Sequence, residues 1–187
     1  MANFYPSLNA DLRAFIAEQH IFFTASATAD GRINLSPKGM ESFLCLDDQT
    51  AAYLNVTGSG NETAAHLSAD GRLTVMFCSV TTRPLILRLY GAGRAIHPHD
   101  AEWEAYLAHF DPIPGARQII VLAIESVQTS CGFAVPFYDY AGERDTLRKW
   151  AAQKGPEGIR QYWEERNSRS IDGLATGILD GIDHAHS

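Results

Sequence analysis

The residues best suited to chemistry lie in one heptapeptide, Thr57-Gly58-Ser59-Gly60-Asn61-Glu62-Thr63. Glycine lets backbone N–H groups come close to an anion, and hydroxyls add further donors. A helix starting here would present unpaired N–H groups at the positive end of its dipole. That combination suits a phosphate. The same residues also describe an ordinary glycine-rich connection from strand to helix with Asn61 as N-cap, and spacing alone leaves both open. The segment matches neither G-x-x-x-x-G-K-[ST] nor G-x-G-x-x-G, and Gly91-Ala92-Gly93 fails the second pattern, so nucleoside-triphosphate and Rossmann-type sites are not indicated.

A second group, Ser36-Pro37-Lys38-Gly39, puts a hydroxyl and a cation at the end of a strand-like stretch. Pro37 interrupts the ladder and leaves backbone groups for a ligand; alternatively, Lys38 is a solvated lysine at a simple corner. Arg83 and Arg88 flank the start of an apolar stretch, with Arg88 alternating against Leu87 and Leu89 and so facing away from the core. His97 and His99 are separated by Pro98 and have no third ligand nearby, and His184 and His186 sit in a tail, so no metal site is indicated. With no nucleophile-elbow or triad signature, an enzyme built on this chain would rely on a bound cofactor.

These groups must be positioned by the elements around them. Leu8, Leu12, Phe15 and Ile16 share a helical face over 7–19, with Ser7 or Asn9 as N-cap. Strands are expected at Ile21–Ala27 and around Ile33 and Leu35, joined at Asp30-Gly31, and again at Phe43–Leu46 and Ala51–Val56. A short helix entered at Ala64-Ala65-His66-Leu67 and ending at Asp70-Gly71 follows the heptapeptide. Leu73–Val80 and Leu85–Ile96 form further strands, the second bent or bulged at Gly91 and Gly93. Pro98 is placed at the first position of a helix through Trp103, Tyr106 and Leu107, Gln118–Val127 is a long strand, and two helices over 143–153 and 157–166 are broken at Gly155-Pro156. Strands in hairpins imply an α+β fold, an antiparallel barrel or sandwich with flanking helices.

The chain has 187 residues, 45% hydrophobic and 20% charged, enough to bury roughly two-thirds of its unfolded surface in a single domain over 1–187. A formal charge of -7 is the wrong sign for gripping nucleic acid. No apolar run is long enough for a membrane span and no leader pattern opens the chain. Cys45, Cys78 and Cys131 form no C-x-x-C pair, which suits a reduced, cytoplasmic setting.

The order of these blocks resembles the pyridoxamine 5′-phosphate oxidase-like family, the FMN-binding split β-barrels. The resemblance runs over about residues 10–130. It rests on the strand from Arg32 to Lys38-Gly39, on Tyr53-Leu54-Asn55 leading into the Gly/Ser loop and short helix, and on Arg88-Leu89-Tyr90-Gly91-Ala92-Gly93-Arg94. It implies an antiparallel split β-barrel with a helical C-terminal segment from about 143, and a homodimer with FMN at its interface. By that match Asn34, Ser36 and Lys38 would contact the flavin or ribityl chain, Asn55 and Thr57 the strand edge beside it, and Ser59, Gly60 and Asn61 the phosphate. Ser59 and Asn61 are expected to be surface donors. Where the oxidases carry an Arg-Lys pair in this loop, this chain has Gly60-Asn61, so the phosphate would be balanced by Lys38, Arg83, Arg88 or a residue of the partner subunit. The family's Arg-Leu-Ala-Pro-like ending is replaced by residues 182–187, so the vitamin substrate is not implied; Trp150 or Trp163, with Arg169, would line the pocket across the dimer instead. The resemblance implies an FMN-dependent oxidoreductase acting on an unidentified small molecule. The alternative is a non-catalytic flavin-binding protein on the same fold, or a haem-binding one using His66 or a tail histidine.

Overall fold

Period-two alternation builds most of the chain. In the computed structural model, which describes residues 2–181, eight strands form one antiparallel sheet: β1 (Asn3–Tyr5), β2 (Phe22–Ser26), β3 (Asn34–Lys38), β4 (Phe43–Cys45), β5 (Thr50–Val56), β6 (Arg72–Cys78), β7 (Leu85–Ile96) and β8 (Ala116–Cys131). The order across the sheet is β3-β2-β6-β7-β8-β5-β4, and β1 joins β8 separately. β8 pairs with β7 along nearly its whole length. Its other edge is divided, with Thr50–Val56 beside its first half and Asn3–Tyr5 beside Val127–Thr129. That division curls the sheet into the expected half-barrel, and four helices flank it: α1 (Ala10–Ala17), α2 (Glu62–Ala69), α3 (Trp103–Leu107) and α4 (Thr146–Arg166).

Two apolar clusters hold the sheet. Phe15 and Ile16 of α1 pack with Phe22, Tyr53, Phe77, Leu87, Leu89 and Val127 inside the curl. On the opposite face Ala52, Leu54, Ile96, Ile119 and Val121 pack with Trp103 of α3 and Ile113. β5 is therefore buried on both faces, which is why Ala51–Val56 reads as a nearly continuous apolar run broken only by Asn55. The break at that residue matters below.

Several local expectations are met. Asn9 caps α1, its Oδ1 accepting from Leu12 N at 2.9 Å. The β7–β8 register shifts between Tyr90 and Gly91. α4 bends at Gly155, which takes φ 66° and ψ 174° before Pro156. Three differ. Pro98 does not open α3: it sits in a turn closed by Asp100, whose Oδ2 accepts from His97 N, and the helix begins at Trp103. β8 starts before Gln118, because Ala116 pairs with Val56 across an irregularity. β1 was not foreseen, since three residues show no periodicity. Among the described residues no helix is long and apolar enough to cross a membrane; His184 and His186 lie outside them.

Candidate functional site

β3 has an unusual polarity. Asn34, Ser36 and Lys38 turn toward the protein and are half-buried, whereas the alternating Leu35 and Pro37 are exposed. An ordinary half-buried strand does the reverse. The polar face of β3 is buried because it lines a cleft of about 390 Å³, which it shares with Asn55 of β5, the Gly58-Ser59-Gly60-Asn61 loop, Glu62 and Thr63 at the start of α2, and Arg117 of β8. Seven of the ten expected residues thus meet in one place: Asn34, Ser36, Lys38, Asn55, Ser59, Gly60 and Asn61.

The other three lie elsewhere in this chain. Thr57 is beneath the loop, with its hydroxyl already used: it accepts from Trp163 Nε1 and donates to the Gly115 carbonyl, each at 2.8 Å. Arg83 pairs with Asp11 at 2.6 Å and lies over the Phe15 ring. Arg88 extends along β7 toward Ser130 Oγ at 3.3 Å. Neither arginine is among the residues that line the cleft of its own chain; each side chain is engaged elsewhere.

Electrostatics define the cleft. Lys38 Nζ donates to Asn55 Oδ1 at 2.8 Å, and Asn55 Nδ2 in turn donates to Gln118 Oε1 at 3.1 Å, so an amide relay fixes the ammonium. Burial and the nearby Arg117 charge push Lys38 down to about 8. Arg117 is 2% exposed, and burial pushes its guanidinium down to about 10. Its Nη1 donates to the Gly60 carbonyl at 2.9 Å, and its Nε has no partner. No carboxylate pairs with either cation among the described residues. Glu62, the one acid in the lining, accepts from Ile171 N. A buried and a half-buried cation without a counterion are costly unless an anion joins them.

The loop has room for that anion. A Cβ on Gly58 would meet nothing within 4 Å, and neither Gly58 nor Gly60 has a positive φ. Neither the backbone nor the chain's own packing requires glycine here, so the loop leaves space for a ligand to approach its backbone closely. Asn61 stands at the N-cap of α2 without capping it; its Nδ2 donates to the Asn167 carbonyl at 3.2 Å. The first N–H groups of α2 therefore keep no side-chain cap.

Sequence reasoning missed Arg117 and Asn167, and it expected Trp150 or Trp163 to line a pocket across the dimer, whereas the Trp163 indole is bonded to Thr57 beneath the loop of its own chain. A lone Arg-Gln pair at the head of an apolar run was the available signal for the first, since a charge in such a run is buried at a cost. Asn167 is fully buried and ties the C-terminal segment under the loop: its Nδ2 donates to the Gly58 carbonyl at 3.0 Å, and its own carbonyl accepts from Asn61 and, at 2.6 Å, from Thr176 Oγ1. Asp172 pairs with Arg32 on the same side. His66 of α2, a candidate iron ligand of the haem alternative, is 1% exposed, with Nδ1 3.1 Å from Ser26 Oγ.

Burial separates the two loop donors that had been paired as surface groups, because Ser59 is exposed and Asn61 is 2% exposed. Thermal melts should show Ser59→Ala unchanged and Asn61→Ala less stable by about 0.5–1.5 kcal/mol, the net contribution of one hydrogen bond, since the Asn167 carbonyl keeps its bond from Thr176. Equal melting temperatures would mean that the loop does not depend on its tie to Asn167.

With this geometry in view, the comparisons with known proteins are decisive. The family model described as pyridoxamine 5′-phosphate oxidase matches residues 8–131. The chain belongs to the pyridoxamine 5′-phosphate oxidase family. The family protein ustO of Aspergillus flavus is 40% identical over 192 residues, which cover 93% of this chain and 77% of that one. Two solved structures of similar fold are HupZ from Group A Streptococcus and a putative pyridoxamine 5′-phosphate oxidase from Lactobacillus delbrueckii. The first has 20% identity and a TM-score of 0.51, covering 64% of this chain and 91% of that one. The second has the same 20% identity and TM-score of 0.51, covering 66% and 94%. Both support the split-barrel architecture. The region matched by the pyridoxamine 5′-phosphate oxidase family model ends at Cys131, so the α4 and Asn167 ties to the loop come from outside it.

Proposed function

We propose that this chain binds FMN in the cleft and acts as an FMN-dependent oxidoreductase on a small molecule. The observation that carries this reading is the pair of uncompensated cations, Lys38 and Arg117, beside a glycine loop at the uncapped start of α2. A phosphate neutralises both, and charge-assisted hydrogen bonds from arginine and backbone N–H groups are among the strongest available. Arg117 takes the place of the loop cations that the oxidases use. Asn34, Ser36 and Asn55 offer neutral donors and acceptors along the cleft for a polyol chain and a ring edge. When bound, FMN supplies a ring that accepts a hydride at N5. The protein's part is to hold the phosphate charge, fix the ring by these amides and hydroxyls, and leave one approach open. A second chamber of about 600 Å³ adjoins the cleft at Pro37 and Lys38, which favours turnover over simple flavin carriage. The test is the visible spectrum of the purified protein, with identification of what heat releases. A flavin spectrum with FMN released is expected; a colourless protein that takes up no added FMN overturns the reading.

Lys38 gives that binding a pH signature. Its ammonium is pushed down to about 8 in the empty cleft, whereas a bound anion favours the charged form. Binding therefore takes up a proton above pH 8. Affinity for FMN should be flat between about pH 7 and 8, where the phosphate is dianionic, and then fall by up to about one log unit per pH unit as pH rises through the range in which Lys38 titrates. Titration calorimetry in buffers of different ionisation enthalpy measures the uptake directly. In Lys38→Met the slope between about pH 8 and 9.5 should flatten, and an unchanged slope would remove Lys38 from the site.

We further propose a homodimer in the cytoplasm. Ile33, just before the edge strand β3, and Leu35 within it are 78% and 65% exposed and form an apolar outer stripe. A second copy covering this stripe explains the inverted polarity of β3. The three cysteines are free, which supports a reducing compartment. Sedimentation should give twice the chain mass, and Leu35→Glu should shift it toward monomer. A parent protein that is monomeric with FMN bound refutes the dimer.

A further inference from the structure

The chamber beside Lys38 is not accounted for by the cofactor, and its walls differ in kind from those of the cleft. Ile21, Pro37, Met40, Leu147 and the Trp150 indole make it largely apolar, and its volume of about 600 Å³ suits a drug-sized molecule. The indole is held in place edge-on to Tyr162, with ring centroids 5.2 Å apart, and Lys154 Nζ lies over both rings. Opposite, His20 stacks on Tyr140 at 3.6 Å, giving a flat wall.

The floor is strained. Met40 and Glu41 take left-handed φ values of 64° and 55°, which non-glycine residues seldom adopt and which persist only where surroundings impose them. Two contacts impose them here: Ser42 Oγ donates to the Gly39 carbonyl at 2.7 Å, and Ser42 O accepts from Leu54 N at 2.9 Å. The turn presents Met40 to the chamber two residues after Lys38.

The charges in the lining are not balanced like those of the whole chain, which carries a formal charge of -7. Arg144 lines the chamber with one acid, Glu143, while Lys38 stands at the border with its ammonium turned to Asn55 in the cleft. Glu143 already accepts from Tyr140 Oη at 3.2 Å, and Glu41 lies beside the same tyrosine. Arg144 has no carboxylate partner among the described residues.

We propose that this chamber is the substrate site and takes a compound with a flat apolar body and one acidic group. This rests on the flavin reading for what the substrate would meet across Lys38. Arg144, Leu147 and Trp150 all lie beyond the region matched by the family model, so the selectivity belongs to this chain's C-terminal segment.

Two fluorescent dyes test the class: 8-anilinonaphthalene-1-sulfonate, which is flat, apolar and anionic, and the uncharged N-phenyl-1-naphthylamine. Titrated into flavin-free protein, the sulfonate should bind once per chain and at least about tenfold more tightly than the neutral dye. Trp150→Ala and Leu147→Glu should each weaken it about tenfold or more, whereas Arg144→Gln should remove only the preference for the anion. FMN affinity should stay within about twofold in all three variants, which also shows that they fold. Sulfonate binding that survives both Trp150→Ala and Leu147→Glu, or that shows no preference over the neutral dye, overturns the proposal. Because the titration needs no flavin, a protein that binds the dye as stated but never binds FMN defeats the cofactor reading and leaves the chamber standing. One that binds FMN and not the dye does the opposite.

Discussion

Replacing Arg117 by methionine is expected to weaken FMN binding by roughly 10- to 100-fold while leaving the flavin-free protein as stable as before, or more so. The two halves have one cause. Arg117 is 2% exposed, lacks a carboxylate partner among the described residues, and has Nε unpaired. A buried, uncompensated charge costs folding free energy, and an apolar side chain of similar length removes that cost. Bound phosphate reverses the balance, since a hydrogen bond to a charged group contributes about 1.5–3 kcal/mol and each 1.4 kcal/mol is tenfold in affinity. The one tie that methionine cannot replace is from Nη1 to the Gly60 carbonyl. Parallel melts and FMN titrations decide the matter. A variant that loses stability but keeps FMN would make Arg117 a prop for the loop and nothing more.

The second large effect is on the fold. A Cβ on Gly91 would stand 1.9 Å from the Ala123 carbonyl oxygen, a backbone atom of the facing strand. Neither strand can yield without breaking the β7–β8 ladder, which runs from Leu85 to Ile96. Overpacking of this kind costs about 3 kcal/mol, which in a chain of 187 residues lowers Tm by about 6–12 °C. Gly58→Ala is the matched control, because its added methyl meets nothing within 4 Å and should leave Tm where it was. Equal melting temperatures for the two variants would mean that the bulge relaxes around a side chain.

Gly91 also shows what was readable beforehand. A glycine interrupting alternation in a long strand marks a bulge from local spacing alone, and the same holds for the Gly155-Pro156 bend and the Asn9 cap. The cleft was legible only in part. Asn34, Ser36, Lys38 and the loop share a cleft because β2–β3 and β5–α2 are short-range units whose ends the sheet brings together. Arg117 could not be found in that way. It reaches Gly60 across 57 positions, and Trp163 and Asn167 reach Thr57 and Gly58 across 106 and 109. No local period encodes such contacts. Arg83 and Arg88 were attractive as cations because a phosphate needs them, but charge demand says nothing about which strand faces the cleft, and β7 does not.

The tie at Asn167 sets the order in which the protein can mature. The barrel strands end at Cys131, so a nascent chain can fold its sheet well before the segment from 167 to 176 has left the ribosome. The glycine loop is tied to the sheet through Arg117 and Gly115, but its last ties form only when Asn167 reaches Gly58 and Asn61. On the proposed FMN reading, cofactor capture would then be completed late in biosynthesis, and a chain stalled before Asn167 would hold a folded sheet with an anion cradle lacking those ties.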